Sequence, residues 1–457
     1  MSDLPEGWEW TTLGEIAESV RNGIFVSRPG KEPDGVPILR ISSVRPLKLN
    51  TNDIRYSGIL EPDLKAKDSL LTPGDILFTR YSGTADFVGV GALVPQGIEP
   101  LTYPDKLIRV RLPKNYIDAR YVALAFASPA VRENVTKVLR TTAGQIGISG
   151  DALKSVRLPM APLAEQRRIV ATLDNHLSRI DTAASTLQQS TDRTRALPSQ
   201  IFESVLCSMP YDQVTLNEIL AEPLINGRSV PSLDGGFPVL RLTAIKGGRI
   251  DLQERKTGAW TINEAKPFLV NQGDFLVSRG NGSLKLVGRG GLIVDEPDGV
   301  AFPDTLIRIR PDKHRVSPQY FALEWNSSKV RAQIESVART TAGIYKVNQS
   351  LLRKIQIRLP NISDQLRIVA EVNGAATLID SASASARQAM TRHTRLRQSL
   401  LTAAFAGQLV PQDHGDEPAS ELLRRIAVEH SFAQKSNRAR RTTTKTSRTS
   451  SVQETLL

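Results

Sequence analysis

The chain has 457 residues, 40% of them hydrophobic, enough for about three domains with real cores. Its 59 Lys and Arg against 47 Asp and Glu give a formal net charge of +12, which favours a polyanionic partner, nucleic acid before anionic membrane. A lone cysteine, Cys207, excludes an intramolecular disulfide and a cysteine-based zinc site. The five histidines show no ligand spacing, the opening MSDLPEGWEW is not a signal peptide, and no apolar run reaches the ~20 residues of a membrane span, so a soluble, cytoplasmic protein is expected.

In chain order, the first ~155 residues carry short β-like runs punctuated by Gly, Pro and Asp. VPILRISSV (36–44) is expected as a strand. GDILFTR (74–80) and LIRVRLP (107–113) alternate apolar and polar residues, which also predicts strands. ARYVALAFASPAVRENVTKVL (119–139) predicts one or two helices broken at Pro129. RTTAG (140–144) follows, and Gly144 there suits a turn of positive φ that ends the helix before the next strand. From Pro162 turn residues vanish, and Val170, Leu173, Leu177, Ile180, Ala184 and Leu187 recur at spacings of three and four, a heptad seam. Pro198 is expected to end or kink that helix.

The chain then repeats itself. RTTAG returns at 339–343, an offset of 199 (140 to 339), and at that offset GDFLVSR (273–279) lies under GDILFTR. FPVLRLTAI (237–245) answers VPILRISSV at a slightly shifted offset. The seam recurs as Val369, Val372, Ala376, Ile379, Ser383, Ala386 and Met390, where small residues permit close helix approach and Gly374 weakens the helix. A stripe this narrow needs a partner helix, and the duplication supplies one. Helices of about 40–45 residues would be about 60–65 Å long, too long to lie on a lobe some 30–35 Å across. The fold class is therefore α+β: two duplicated mixed α/β lobes and two long helices, with a basic tail from about 430 that has little to bury and is expected to be disordered.

Catalytic signatures are missing: there is no P-loop, nucleophile elbow or HExxH motif. Two Glu-x-Lys triplets, ERK (254–256) and EAK (264–266), occur only in the second repeat and are a weak echo of a metal-dependent nuclease. DNA-contact chemistry is better represented, since Arg, Asn, Gln and Thr can hold phosphates and read base edges. Arg40 recurs as Arg241, Arg80 as Arg279, and Ser82 as Asn281. Arg140, Thr141 and Thr142 match Arg339, Thr340 and Thr341. Beyond each RTTAG the sequences diverge, QIGISGDALKSVRLP against IYKVNQSLLRKIQIRLP, the second two residues longer before the shared RLP. A shared stem with a divergent loop makes Gln145 in one lobe, and Tyr345 and Lys346 in the other, the candidate readers of different words, with RTTAG the handle.

Five segments carry a resemblance: LPEGWEWTTLGEI near the start, GDILFTR and GDFLVSR in the lobes, PLAEQRRIVATLDNHLSRID (162–181), and LRQSLLTAAFAGQLVPQDHGDEPASELLRRI (396–426). Over nearly its whole length the chain resembles the specificity (S) subunit of a type I restriction–modification system. That resemblance implies two target-recognition domains (1–160 and 208–360), each binding one half of a split, asymmetric double-stranded DNA site. It implies two spacer helix regions (161–207 and 361–429) paired as an antiparallel, pseudo-twofold coiled coil, with the tail at 430–457. The helices would dock two methyltransferase (M) subunits, and two restriction (R) subunits would join. Catalysis would belong to those partners, which use S-adenosylmethionine, ATP and Mg²⁺, leaving this subunit without a cofactor. NISDQLRIV in the second repeat departs from PLAEQRRIV in the first, so the two docking surfaces need not be equivalent.

Overall fold

The computed structural model describes residues 4–98, 100–142, 144–341 and 343–432. The side chains of Thr142 and Thr341 and most of the basic tail lie outside the described residues, although His430–Phe432 still belong to a helix that begins at Ala419. The chain divides into two compact units, one formed by residues up to Thr186 and from Gln388 on, the other by Leu187–Arg387.

The first unit opens with β1 (Glu9–Thr12) and β2 (Ser19–Asn22), followed by β3 (Ile76–Thr79), β4 (Tyr81–Ser82), β5 (Gly91–Leu93) and β6 (Leu107–Arg111). Helices α1 (Ala119–Ala127) and α2 (Pro129–Lys137) follow, then β7 (Arg140–Thr142), β8 (Gln145–Gly147), β9 (Arg157–Met160) and the long α3 (Leu163–Thr194). The main sheet has the order β2-β6-β3-β5, antiparallel throughout. Every residue of β3 is buried, because alternate side chains enter two different cores: Ile76 and Phe78 join one, Leu77 the other. Ser128 accepts a hydrogen bond from the Val131 amide at 3.5 Å and caps α2, with Pro129 as its first residue, so the expected break is a clean N-terminus.

The second unit repeats the plan. After α4 (Leu197–Cys207) come β10 (Asp212–Thr215), β11 (Ile225–Asn226), β12 (Phe275–Ser278), β13 (Gly280–Asn281), β14 (Gly290–Leu292) and β15 (Leu306–Ile309). Then follow α5 (Pro318–Trp325), α6 (Ser328–Val337), β16 (Arg339–Thr341), β17 (Ile344–Lys346), β18 (Gln356–Leu359) and the 44-residue α7 (Ile362–Phe405). Its main sheet runs β11-β15-β12-β14 and continues through Arg249–Ile250 and Ile245–Lys246.

The repeated GD motif has a structural cause. Gly74 and Gly273 adopt φ of +93° and +91°. Asp75, 1% exposed, accepts two hydrogen bonds from Arg111 at 2.8 and 2.9 Å, and Asp274 two from Arg310 at 2.6 and 2.8 Å. Each pair staples the start of one central strand to its neighbour. The glutamine of the helix-start motif is equally structural. Gln166 donates to the Ala161 carbonyl at 2.8 Å and accepts from the Asp118 amide at 3.0 Å; Gln365 does the same with Pro360 and Ser317, both at 2.8 Å.

Two sequence expectations change. VPILRISSV is a short strand, Pro37–Ile38, that gives way to a 3-10 turn at Ile41–Ser43; FPVLRLTAI breaks likewise at Leu242–Ala244. The supposed two-residue insertion also disappears. Tyr121 donates its hydroxyl to the Pro159 carbonyl at 3.0 Å and Tyr320 to the Arg358 carbonyl at 2.6 Å, so the 199-residue offset persists into the last strand. The two RLP strings are a coincidence of sequence, not equivalent backbone.

The first long helix runs from α3 through turn residues Arg195 and Ala196 into α4, with Pro198 in the first turn of α4, as its ring requires. In α3 the shielded positions are Leu173, Leu177, Ile180, Ala184 and Leu187, and Ile169 is buried more deeply than the expected Val170. In α7 they continue through Ile368, Val372, Ala376, Ile379, Ser383 and Ala386 to Met390. Gly374 does not interrupt the helix. Within the first unit, Leu401, Ala404 and Phe405 of α7, together with Ala419, Leu422 and Ile426 beyond it, share the core of the first lobe. The Ala419 amide donates to the Gly7 carbonyl at 2.9 Å, and Arg168 pairs with Asp416 at 2.6 Å.

Candidate nucleic-acid interface

In an antiparallel sheet the end of one strand lies beside the start of its neighbour. The end of β2, the end of β3 and the start of β6 therefore gather at one rim of the first lobe. Gly23 follows β2 so closely under the next loop that a Cβ there would stand 2.2 Å from the Tyr103 carbonyl oxygen, so only glycine fits. The Ile24 amide donates to Tyr103 at 3.0 Å, and the Asp105 amide donates back to Ile24 at 2.9 Å. Arg80, just past β3, donates its amide to Lys106 at 3.0 Å and its guanidinium to the Asp105 carbonyl at 3.2 Å.

RTTAG joins this rim as a strand, not as the end of a helix. Strands β7 and β8 form a hairpin in the register Arg140↔Gly147, Thr141↔Ile146 and Thr142↔Gln145. Its other edge pairs with β4, Ile146 opposite Ser82 and Gly147 opposite Tyr81. Gly144, at φ +77°, makes the two-residue turn possible, and nothing stands within 4 Å of the place its Cβ would occupy.

The second lobe builds the same rim. A Cβ on Gly227 would stand 2.0 Å from the Pro303 oxygen, and Arg279 donates to the Asp304 carbonyl at 3.4 Å. Strands β16 and β17 pair Arg339↔Lys346, Thr340↔Tyr345 and Thr341↔Ile344, and β17 pairs with β13 through Gly280↔Lys346 and Asn281↔Tyr345.

The hairpins gather Arg140, Thr141, Thr142 and Gln145 in one lobe, and Arg339, Thr340, Thr341, Tyr345 and Lys346 in the other. Arg140, Thr141, Gln145, Arg339, Thr340 and Lys346 are exposed; Tyr345 is half-buried and packs on the lobe core. The register makes Gln145 equivalent to Ile344, so Tyr345 and Lys346 correspond to Ile146 and Gly147. Arg80 and Arg279 spend a guanidinium nitrogen on a loop carbonyl, and the Arg80 head also stacks 4.9 Å over Tyr81. Ser82 and Asn281 accept amide hydrogen bonds from Thr84 at 3.2 Å and Ser283 at 3.0 Å, shaping the turns in which they lie. Arg40 and Arg241 lie outside the rim elements, each ahead of its 3-10 turn, with Arg40 paired to Asp53. Sequence reasoning passed over the rim residues Phe25, Lys106, Arg228 and Thr305, all exposed; their only signal is proximity to an Asn-Gly or Pro-Asp turn.

The Glu-x-Lys triplets are occupied elsewhere. Glu254 pairs with Lys246 at 3.3 Å, Lys256 donates to the Val230 carbonyl at 2.7 Å, and Glu264 closes a capping box with Thr261. Among the described residues no three His, Cys, Asp or Glu side chains gather as metal ligands, and no helix is long and apolar enough to cross a membrane.

Residues 5–190 match the family model described as "Type I restriction modification DNA specificity domain". The chain is 25% identical over 453 residues to the type I restriction enzyme EcoKI specificity subunit of Escherichia coli (strain K12), covering 93% of this chain and 96% of that protein. The StySPI specificity subunit of Salmonella potsdam is 24% identical over 455 residues, covering 94% and 97%. Over nearly its whole length the chain is thus similar to type I restriction enzyme specificity subunits. A solved structure, from work on complex assembly and conformational transition of the type I R-M system, superposes with a TM-score of 0.67 at 18% identity, covering 89% of this chain and all of that one. The likeness in fold extends over both repeated lobes and the two long helices, and the model that residues 5–190 match is that of a DNA specificity domain.

Proposed function

We propose that this chain is the non-catalytic DNA-reading subunit of a type I restriction–modification complex, each lobe reading one half of a bipartite, asymmetric site. The observation that carries this is the matched pair of rims. The same strands, the same close-packed glycine and the same hairpin present Gln145, Phe25 and Lys106 in one lobe, but Ile344, Arg228, Ser229 and Thr305 in the other. Basic side chains grip phosphate, and exposed hairpin and loop side chains contact base edges. If both lobes approach one face of the duplex, the half-site centres lie about one helical turn, 34–36 Å, apart. Two methyltransferase subunits dock on the helical regions and two restriction subunits join that core, and these partners supply the S-adenosylmethionine, ATP and Mg²⁺ chemistry.

Sequencing methylated DNA from cells that carry the full system is the direct test. One split motif is expected, and exchanging the second lobe for that of a relative should change one half of it only. Methylation with no split motif, or a lobe exchange that alters both halves equally, overturns the reading. A scaffold that joined partners without DNA specificity would bind competitor sequences equally under salt titration.

A further inference from the structure

Phe25 is 77% exposed, the largest exposure among the exposed large hydrophobic side chains of the described residues. Its position is held from both sides. Ile24 bridges to Pro104, and further along the same loop Gly30 exchanges hydrogen bonds with Tyr56 at 3.0 and 2.9 Å. The backbone therefore presents the ring to solvent from an anchored loop. A phenyl ring held in water forgoes the burial that ordinarily rewards it, which marks a contact surface when its surroundings fit a partner.

Here the surroundings are cationic. Residues 21–31 carry Arg28 and Lys31 and no acid, Arg21 being paired with Asp68 at 3.4 Å, and exposed Lys106 lies next to Asp105, whose amide bonds to Ile24. The same Asp105 carbonyl accepts from Arg80, whose own carbonyl accepts from the Ile148 amide, next to the hairpin, at 2.9 Å. Phe25 thus belongs to the rim that carries Arg140, Thr141 and Gln145. In the second lobe the chain leaves its close-packed Gly227 as Arg228, Ser229 and buried Val230, with no aromatic residue.

We propose that Phe25 is a base-contacting, specificity-determining residue of the first lobe, its ring meeting base faces or thymine methyls within one half-site. Proteins use apolar side chains in this way, against the thymine methyl in the major groove or as wedges between base steps. The proposal rests on the reading of this lobe as a DNA reader, and its test separates the two.

The full chain, in complex with its methyltransferase partner, is titrated against duplexes that each carry one base change in the site, using wild type, Phe25→Ala and Phe25→Leu. With Phe25→Ala, discrimination at one or two adjacent positions of one half-site should fall about tenfold, as for loss of one apolar or stacking contact. Phe25→Leu should fall less, and the other half-site and the melting temperature should hold. Replacing thymine by uracil at the affected position lowers wild-type affinity if the contact is a methyl group. If it is stacking, 2-aminopurine placed there brightens on binding of wild type but not of Phe25→Ala. An unchanged discrimination profile for Phe25→Ala, or a loss spread evenly over both half-sites, overturns the proposal. Wild type that fails to discriminate at any position overturns the DNA-reading function itself.

Discussion

Arg358 shows how one residue can distinguish two copies of a fold. Its side chain is 6% exposed and donates to Glu324 at 2.9 and 2.7 Å and to Glu203 at 2.7 Å. The equivalent places in the first lobe hold Pro159 and Ala125, so there the same backbone needs no buried charge. Removing one member of a buried ionic group strands the others, whereas removing the pair is nearly neutral. Arg358→Met alone should cost about 3–5 kcal/mol in denaturant unfolding of the full chain, and Arg358→Met with Glu324→Leu far less. Equal losses for the single and double variants would show that packing, not charge, governs this site. Arg358's hydrogen bonds hold the Glu203 carboxyl below its ordinary 4.5, so the stability this pair contributes is present above that pH and is lost as pH falls through the lowered value.

Helix α3 meets the first lobe through charge as well as through its apolar seam. Arg120 pairs with Asp174 at 2.7 Å, while Asp181 gathers Lys48 at 3.1 Å, Arg397 at 2.9 Å and His393 at 3.4 Å. Their repeat counterparts are Gln319, Asn373 and Asp380, and among the described residues no ion pair forms there. Burial pushes the Asp181 carboxyl up, but the hydrogen bond from Lys48 and the charges of Arg397 and Lys48 outweigh it and hold the group below 3.8. The clasp therefore contributes above that pH, and its contribution disappears as acid protonates Asp181. A double-mutant cycle of Asp181→Asn with Arg397→Gln should give a coupling of about 1 kcal/mol that shrinks in high salt. Hydrogen exchange should quicken in α1 and α3 of Asp181→Asn, with α5 unaffected. Equal changes in both lobes would remove the electrostatic asymmetry.

At the scale of the molecule, α3 and α7 run through the boundary of both compact units. If they are the ruler of a split DNA site, their length sets the unread spacer. One heptad inserted into each helix adds about 10 Å, or about three base pairs of DNA axis. The methylated motif should keep both half-sites and gain about three unread pairs. A motif with its original spacer would rule out the ruler.

Repetition, strand-like runs, the break at Pro129, the heptad seam and the bend near Pro198 were all legible in the sequence, because each depends on local periodicity or on the chemistry of single residues. The RTTAG hairpin was not. Three residues of strand carry almost no pattern, and the strand exists because Ile146 and Gly147 find β4, which lies more than sixty positions earlier in the chain. Sequence chemistry nominated Arg80, Arg279, Ser82 and Asn281 for DNA contact, but only the tertiary structure reveals that these side chains already hold nearby loops and turns. The same holds for Phe25. Whether an aromatic side chain is core or surface depends on what folds over it, and at that rim nothing among the described residues does. The sequence by itself determined that the chain is two copies of one mixed α/β lobe with two long helices, since periodicity and repetition are properties of a string. Which side chains remain free to meet a partner depended on contacts between distant segments, and the tertiary structure alone decided it.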